Sequence, residues 1–464
     1  MDASHYDLVV LGAGPAGEKG AAQAAYFGKR VLVIEKELEP GGAAVHTGTL
    51  PSKTLRETAL YLSGYHAREL YGVAVELDPS ATLQHLMSRK AVIAAAESHA
   101  FRENFSRHGI EYQRGSARFI DAHTIAVTSL QGEQRVSADY ILIATGSKPF
   151  RPSDIDFESD LIHDSDEVLT INSIPTSLTI LGGGVIGCEY ACMFAALKTP
   201  VTLVDARDEI LPFLDAEIVA RLKVAMQSAG IRLVQGKRWT NVKATDKDVT
   251  TKLSDGSSLT SQQLLFSAGR TGRSAELNLE AVGITPDKRG YLQVDAHFRT
   301  AQPHILAAGD VVGFPALASV SMEQGRVAVC QAFGFDYKRT VAAQMPYGIY
   351  TIPEVSAFGE TEETCREKKI DYVVGRALSS DNPRGKITGD LDGITKLIVE
   401  ATTRKIIGVH VIGERASELV HIGQLAITLG ASIDVFIDMV FNYPTLSDSY
   451  KYAAYGCLDA LSKR

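Results

Sequence analysis

Cysteine, tryptophan and long apolar runs are scarce in this chain. Its five cysteines, Cys188, Cys192, Cys330, Cys365 and Cys457, form no C-x-x-C and no pair at zinc-finger spacing. An odd, sparse count suits a reducing compartment rather than a disulfide-stapled secreted fold. No run of about 18 apolar residues occurs, which argues against a membrane-spanning helix. The start, Met1-Asp2-Ala3-Ser4-His5, lacks the basic and apolar regions of a secretory signal, so the expected location is cytoplasmic. Positive charge is not in excess either. Lys and Arg number 47 against 55 Asp and Glu, a net charge of -8, whereas a general nucleic-acid binder is usually basic. The remaining composition is that of an ordinary globular chain, 45% hydrophobic and 22% charged. Its 464 residues suffice for a large core and about three domains.

Glycine, by contrast, is well placed. Tyr6 to Leu11 is an apolar run that reads as a buried parallel strand. It leads into Gly12-Ala13-Gly14-Pro15-Ala16-Gly17, then an alanine-rich helical stretch, then a strand from Val31 to Ile34 ended by Glu35. Glu35 lies 18 positions beyond Gly17. Strand, glycines, helix and acid in register make a complete dinucleotide fingerprint, a far stronger signal than a lone G-x-G-x-x-G. Gly12 permits the tight turn, Gly14 admits a pyrophosphate to the backbone, and Gly17 lets helix and strand pack closely. The pyrophosphate then meets the positive N-terminus of the helix, and Glu35 can accept both ribose hydroxyls.

The same design recurs. Leu178 to Leu181 predicts a strand, Gly182-Gly183-Gly184-Val185-Ile186-Gly187 a loop, Cys188 to Leu197 a helix, and Val201 to Val204 the next strand. Asp205 ends it, again 18 positions beyond the third glycine, Gly187. This internal repeat is the strongest architectural signal in the chain. Two dinucleotide folds suit hydride transfer from a nicotinamide to a flavin. Asp205 suits the ribose diol of NAD and repels a 2′-phosphate. Arg207, two positions on, can accept that phosphate or be a plain surface arginine. Cys188 and Cys192, one turn apart, fit a buried structural role. His66, His85 and His99, in a mostly helical stretch from Leu55 to about His108, read as surface or packing residues.

Between Gly41 and Lys53 the chain reads GGAAVHTGTLPSK. This resembles the redox-disulfide segment, GG-x-C-x-x-x-G-C-x-P-S-K, of the pyridine nucleotide–disulfide oxidoreductases. The resemblance covers essentially the whole chain. It implies an α/β fold with two Rossmann-like domains, one binding FAD (1–150 and 268–338) and one binding NAD(P) (151–267). A C-terminal α+β dimerisation domain (339–464) would follow. By this resemblance the FAD contacts lie at Gly12, Gly14, Gly17, Glu35 and Lys36, and at Gly42, Thr49 and Lys53. The A-T-G return contributes Thr145 and Gly146, the strand-end motif Asp310, and the helix beyond it Ala318. Gly182, Gly184, Gly187, Glu189, Asp205 and Arg207 fall to NAD(P), with Gly269 in the A-G-R return. Lys53 matches the lysine near flavin N5, where a fixed ammonium offsets negative charge building on the ring. Glu189 matches the acid that pairs with it, or is an ordinary helix N-terminal acid favoured by the macrodipole. No metal is implied.

The departures carry as much information. Ala44 and Thr49 stand at the two cysteine positions. In the C-terminal loop, Tyr443 and Asp448 replace the histidine and glutamate of H-P-T-x-x-E. A tyrosine with an ordinary pKa of about 10 is a poor base at neutral pH. The segments H-T-G-T-x-P-S-K, G-I-Y-T-I-P-E and F-N-Y-P-T resemble the soluble, FAD-dependent pyridine nucleotide transhydrogenases. That resemblance implies ping-pong, reversible hydride transfer from NADPH to NAD through FAD, without a redox disulfide. The partners implied are nicotinamide nucleotides and a second copy of the chain, with larger homo-oligomers left open. Alternatives are an NAD(P)H-dependent quinone or dye reductase or oxidase, a dihydrolipoamide dehydrogenase-like protein lacking the dithiol, and a silent flavin-binding subunit.

Overall fold

A computed structural model describes residues 4–65, 70–73 and 75–464. The readings made for Met1 to Ala3 and for His66 lie outside the described residues. The chain divides into two compact units, 1–54, 87–150 and 269–342 in the first, 55–86, 151–268 and 343–464 in the second.

The first unit is built on a seven-stranded sheet. Its strands run in the order Glu111–Arg114, Val31–Glu35, Ser4–Leu11, Gly132–Ile143, Thr124–Ser129, Ser116–Asp121, and Ile305–Ala307 also pairs with Gly132–Ile143. The nucleotide half is parallel, Leu8 lying against Val31 and Leu11 against Ile34. Parallel strands are covered on both faces and so read as continuous apolar runs. Leu8, Val9 and Val10 are accordingly fully buried. Helix Pro15–Tyr26 turns Ala16, Gly17, Gly20, Ala21 and Ala24 inward. That small-residue face admits helix Ala318–Phe333 so closely that a Cβ on Gly325 would lie 2.1 Å from the Ala16 carbonyl oxygen.

The second unit holds a five-stranded parallel sheet, ordered Arg232–Val234, Val201–Val204, Leu178–Leu181, Gln263–Phe266, Ile162–Asp164. A three-stranded antiparallel sheet, Trp239–Ala244, Val249–Leu253 and Ser258–Ser261, shares its core. The C-terminal part is a five-stranded antiparallel sheet, Tyr347–Ile349, Glu354–Gly359, Ile406–Gly413, Ile394–Glu400, Tyr372–Leu378. Helix Ser449–Ser462 packs on it through Ala453, Ala454 and Cys457, and a Cβ on Gly375 would meet the Ala453 carbonyl oxygen at 1.9 Å. His85 and His99 are exposed, and His99 pairs with Glu103 one turn on. Among the described residues no helix is long and apolar enough to cross a membrane.

Candidate nucleotide cradles

The two glycine loops are copies at the level of single atoms. Gly12 donates its N–H to the Ile34 carbonyl at 2.8 Å, and Gly182 donates to Val204 at 2.8 Å. Both first glycines hold a positive φ, +106° and +116°, which only glycine adopts freely. A Cβ on Gly17 would sit 1.9 Å from the Gly12 carbonyl oxygen; one on Gly187 would sit 1.9 Å from that of Gly182. Gly14 and Gly184 precede the helices Pro15–Tyr26 and Val185–Ala196 with nearly identical backbone angles, φ -79° and -81°. The first-turn amides of each helix point forward from that position, as an anionic pyrophosphate requires. A Cβ on Gly184 would meet nothing within 4 Å, so the space beside that glycine is open. Gly14 is approached by Gly42, whose Cβ would lie 2.9 Å from the Gly14 Cα.

The acids that close the repeats are held alike. Glu35 accepts the Ala13 N–H at 2.7 Å, and Asp205 accepts the Gly183 N–H at 2.5 Å. Both are buried. They differ in one partner. Arg207 forks onto Asp205, Nε to Oδ1 at 2.9 Å and Nη2 to Oδ2 at 2.8 Å. Burial works to raise the Asp205 carboxyl, but the Arg207 hydrogen bonds outweigh it and hold the group below the usual carboxylate range.

Around the first cradle, Thr145 Oγ1 is buried with no hydrogen-bond partner among the described residues, so a donor or acceptor of a ligand would satisfy it. Gly146 follows with φ +72°. Asp310 starts a short turn beyond strand Ile305–Ala307, and Ser147 Oγ donates to its Oδ2 at 3.0 Å. Ser147 Oγ in turn accepts from Arg270 Nε at 2.8 Å. Spacing does not reveal this Arg270–Ser147–Asp310 chain; its local signals are the hydroxyl beside A-T-G and the arginine of A-G-R. Ala318 is the first residue of helix Ala318–Phe333. Lys36 lies at the surface and pairs with Glu276 at 3.0 Å. Thr49 is exposed at the start of helix Thr49–Ser63, while Ala44 is half-buried. Lys53, half-buried on that helix, has its Nζ 3.4 Å from Ser52 Oγ.

In the second unit, Glu189 is buried on helix Val185–Ala196, and its Oε1 accepts the Tyr350 N–H at 2.9 Å. Tyr350, in the G-I-Y-T-I-P-E segment, is a partner that local sequence does not reveal. Gly269 is grouped with the first unit, where its carbonyl accepts the Phe150 N–H at 3.1 Å. Tyr443 is exposed, and Asp448 lies in the turn Leu446–Asp448. All five cysteines are buried and free. Burial pushes Cys192 and Cys457 up to about 12, Cys365 to about 11, and Cys188 well above the ordinary thiol value. Such thiols are poor nucleophiles.

Three carboxylates, Asp215, Glu217 and Glu362, come close enough to hold a cation. The cations there are the Lys396 ammonium, at 2.7, 3.0 and 2.6 Å from them, and the Arg376 guanidinium, at 2.9 Å from Glu217 and 3.5 Å from Glu362.

Two profiles match the chain, pyridine nucleotide-disulphide oxidoreductase over residues 6–325 and the dimerisation domain of that family over 345–454. A soluble pyridine nucleotide transhydrogenase of Mycobacterium bovis is 42% identical over 460 residues, covering 99% of this chain and 97% of the relative. One from Colwellia psychrerythraea is 37% identical, covering 98% of each. Among solved structures, LpdA from Mycobacterium tuberculosis superposes with a TM-score of 0.89 at 28% identity, covering 97% of this chain and 99% of that one. The HOCl-induced flavoprotein disulfide reductase RclA from Escherichia coli gives 0.87 at 26%, with the same coverage.

Proposed function

The chain belongs to the pyridine nucleotide-disulphide oxidoreductase family, and within it we infer a soluble, FAD-dependent transhydrogenase that moves hydride reversibly from NADPH to NAD. One observation carries the reading: the same glycine-loop geometry recurs at Gly12–Gly17 and Gly182–Gly187, while Ala44 and Thr49 stand where the family's dithiol would be. Tyr443 in place of the thiol's acid–base histidine, and five buried high-pKa cysteines, support the same loss of sulfur chemistry.

FAD, when bound, supplies a ring that accepts hydride from one nicotinamide nucleotide and gives it to another. The residues assigned to hold it are those of the first unit. Gly12, Gly14 and Gly17 present the N-terminus of helix Pro15–Tyr26 to a pyrophosphate. Glu35 takes the ribose hydroxyls, Thr145 offers its unsatisfied hydroxyl, and Asp310, fixed by Ser147, takes the ribityl chain. Gly182, Gly184 and Gly187 repeat the cradle for NAD(P), with Asp205 and Arg207 at its ribose end. Lys53 supplies positive charge for the hydride step. Glu189, oriented by the Tyr350 N–H, is the carboxylate assigned to the same step. No side chain is required as a proton relay.

We assign residues 1–150 and 268–338 to FAD, 151–267 to NAD(P) and 339–464 to a homodimer. The match of residues 345–454 to the family's dimerisation domain supports the last, and Leu425, Leu429, Val440, Tyr443 and Tyr452 are exposed within that stretch. The cytoplasm, where both coenzymes are available, is the compartment this reading requires. Steady-state assay with NADPH and a thionicotinamide analogue of NAD tests it. Turnover of the analogue faster than of quinone, oxygen or lipoamide supports it; preferred reduction of any of those three overturns it.

A further inference from the structure

The two cradles differ at one place where their repeat predicts identity. A carboxylate offers about four acceptor positions, two on each oxygen. Glu35 uses two: Oε2 takes the Ala13 N–H at 2.7 Å and Oε1 the Glu37 N–H at 2.9 Å. Two stay open, enough for both hydroxyls of a ribose. Asp205 uses all four. Oδ2 takes the Gly183 N–H at 2.5 Å and Arg207 Nη2 at 2.8 Å, while Oδ1 takes the Arg207 backbone N–H at 2.8 Å and Nε at 2.9 Å. A ribose diol therefore finds no free lone pair on Asp205 while the fork stands.

The fork is built to open. The Asp205 side chain is 7% exposed, but that of Arg207 is 49% exposed, so about half of the arginine side chain already meets water. Two of the four bonds come from backbone amides and persist when the side chain turns away. Asp205 then keeps its place with two positions freed.

We propose that Arg207 is a two-position specificity lever, closed on Asp205 in the empty cradle and turned outward by either coenzyme. This rests on the nicotinamide-nucleotide reading of the second cradle. With NAD, the diol takes the two positions that the guanidinium leaves, and the arginine goes to solvent. With NADP, the guanidinium moves from the carboxylate to the 2′-phosphate, exchanging one charge-assisted bidentate contact for another. Arg207 thus opposes NAD and favours NADP, and Asp205 does the reverse. Two opposed groups let one cradle serve both coenzymes, as hydride exchange between them requires. Lysine could not replace the arginine, because it carries charge without the planar fork.

Calorimetric binding of ADP-ribose and of its 2′-phosphorylated form to the FAD-loaded protein tests the lever without hydride transfer. Arg207→Ala is expected to bind ADP-ribose up to about tenfold more tightly and the 2′-phosphate form about 100-fold more weakly. Arg207→Lys falls between on the phosphate form, and Asp205→Asn shifts both affinities the opposite way. ADP-ribose binding that is unchanged or weaker in Arg207→Ala overturns the proposal. Because no electrons move in this measurement, a protein that failed as a transhydrogenase could still pass or fail it independently.

Discussion

Lys396 donates to Asp215 at 2.7 Å, with the lysine side chain 0% and the aspartate side chain 1% exposed. The lysine comes from strand Ile394–Glu400 of the antiparallel sheet. The aspartate caps helix Ala216–Ser228 of the nucleotide fold, accepting the Glu217 N–H. Two buried charges in contact contribute little net stability, but removing one leaves the other desolvated and unpaired. Lys396→Met is therefore expected to lower the unfolding free energy by about 3–5 kcal/mol, and Lys396→Met with Asp215→Asn to recover much of it. Urea unfolding of the single and double variants measures both.

Acid should weaken the fold in two stages. His163 and His410 are held below the ordinary histidine value of 6.5 by burial. The unfolded chain therefore takes protons there first, and stability falls as pH drops below about 6.5. Asp205, Asp215 and Glu362 make the second stage. Burial works to raise each, but hydrogen bonds from Arg207 or Lys396 hold them below their ordinary values of 3.8, 3.8 and 4.5. Their contribution is present above those values and is lost as pH falls through the depressed ones. Urea midpoints measured from pH 8 to pH 3 should show both declines, and His410→Asn should flatten the first.

Alanine at the third glycine of each loop should separate the two cradles. Either Cβ would collide with a carbonyl oxygen at 1.9 Å, forcing helix and loop apart. Gly17→Ala is expected to yield colourless protein. Gly187→Ala should keep its flavin, read by absorbance per chain. A displacement near 1 Å should still cut its NADPH-dependent kcat/KM by about 100-fold.

Lys53→Met should retain FAD and lose the hydride step. Removing one preorganised charge that stabilises a developing anion costs about 100- to 1000-fold in rate. Rapid-mixing bleaching of the flavin by NADPH reads this directly, and an unchanged rate would remove Lys53 from the chemistry.

Local pattern carried most of the architecture into view. The strands Val31–Glu35, Leu178–Leu181 and Val201–Val204 fall where their apolar runs lie. The glycines and closing acids were legible because each obeys a local steric or spacing rule. Polar partners distant in the chain were not. Asp215 and Lys396 are 181 positions apart, and no periodicity links a buried lysine to its carboxylates. The Tyr350 N–H on Glu189 and the serine between Arg270 and Asp310 escaped for the same reason. Spacing leaves Arg207 as either a phosphate partner or a plain surface arginine, and its fork on Asp205 depends on side-chain direction, which spacing does not encode.

Anaerobic stopped-flow absorbance most directly tests transfer between two nicotinamides without sulfur. NADPH should bleach the yellow flavin in a first phase, and NAD added in a second mix should restore the colour with formation of NADH. Flavin that NADPH leaves oxidised, or that regains colour with lipoamide or quinone but not with NAD, would contradict the account.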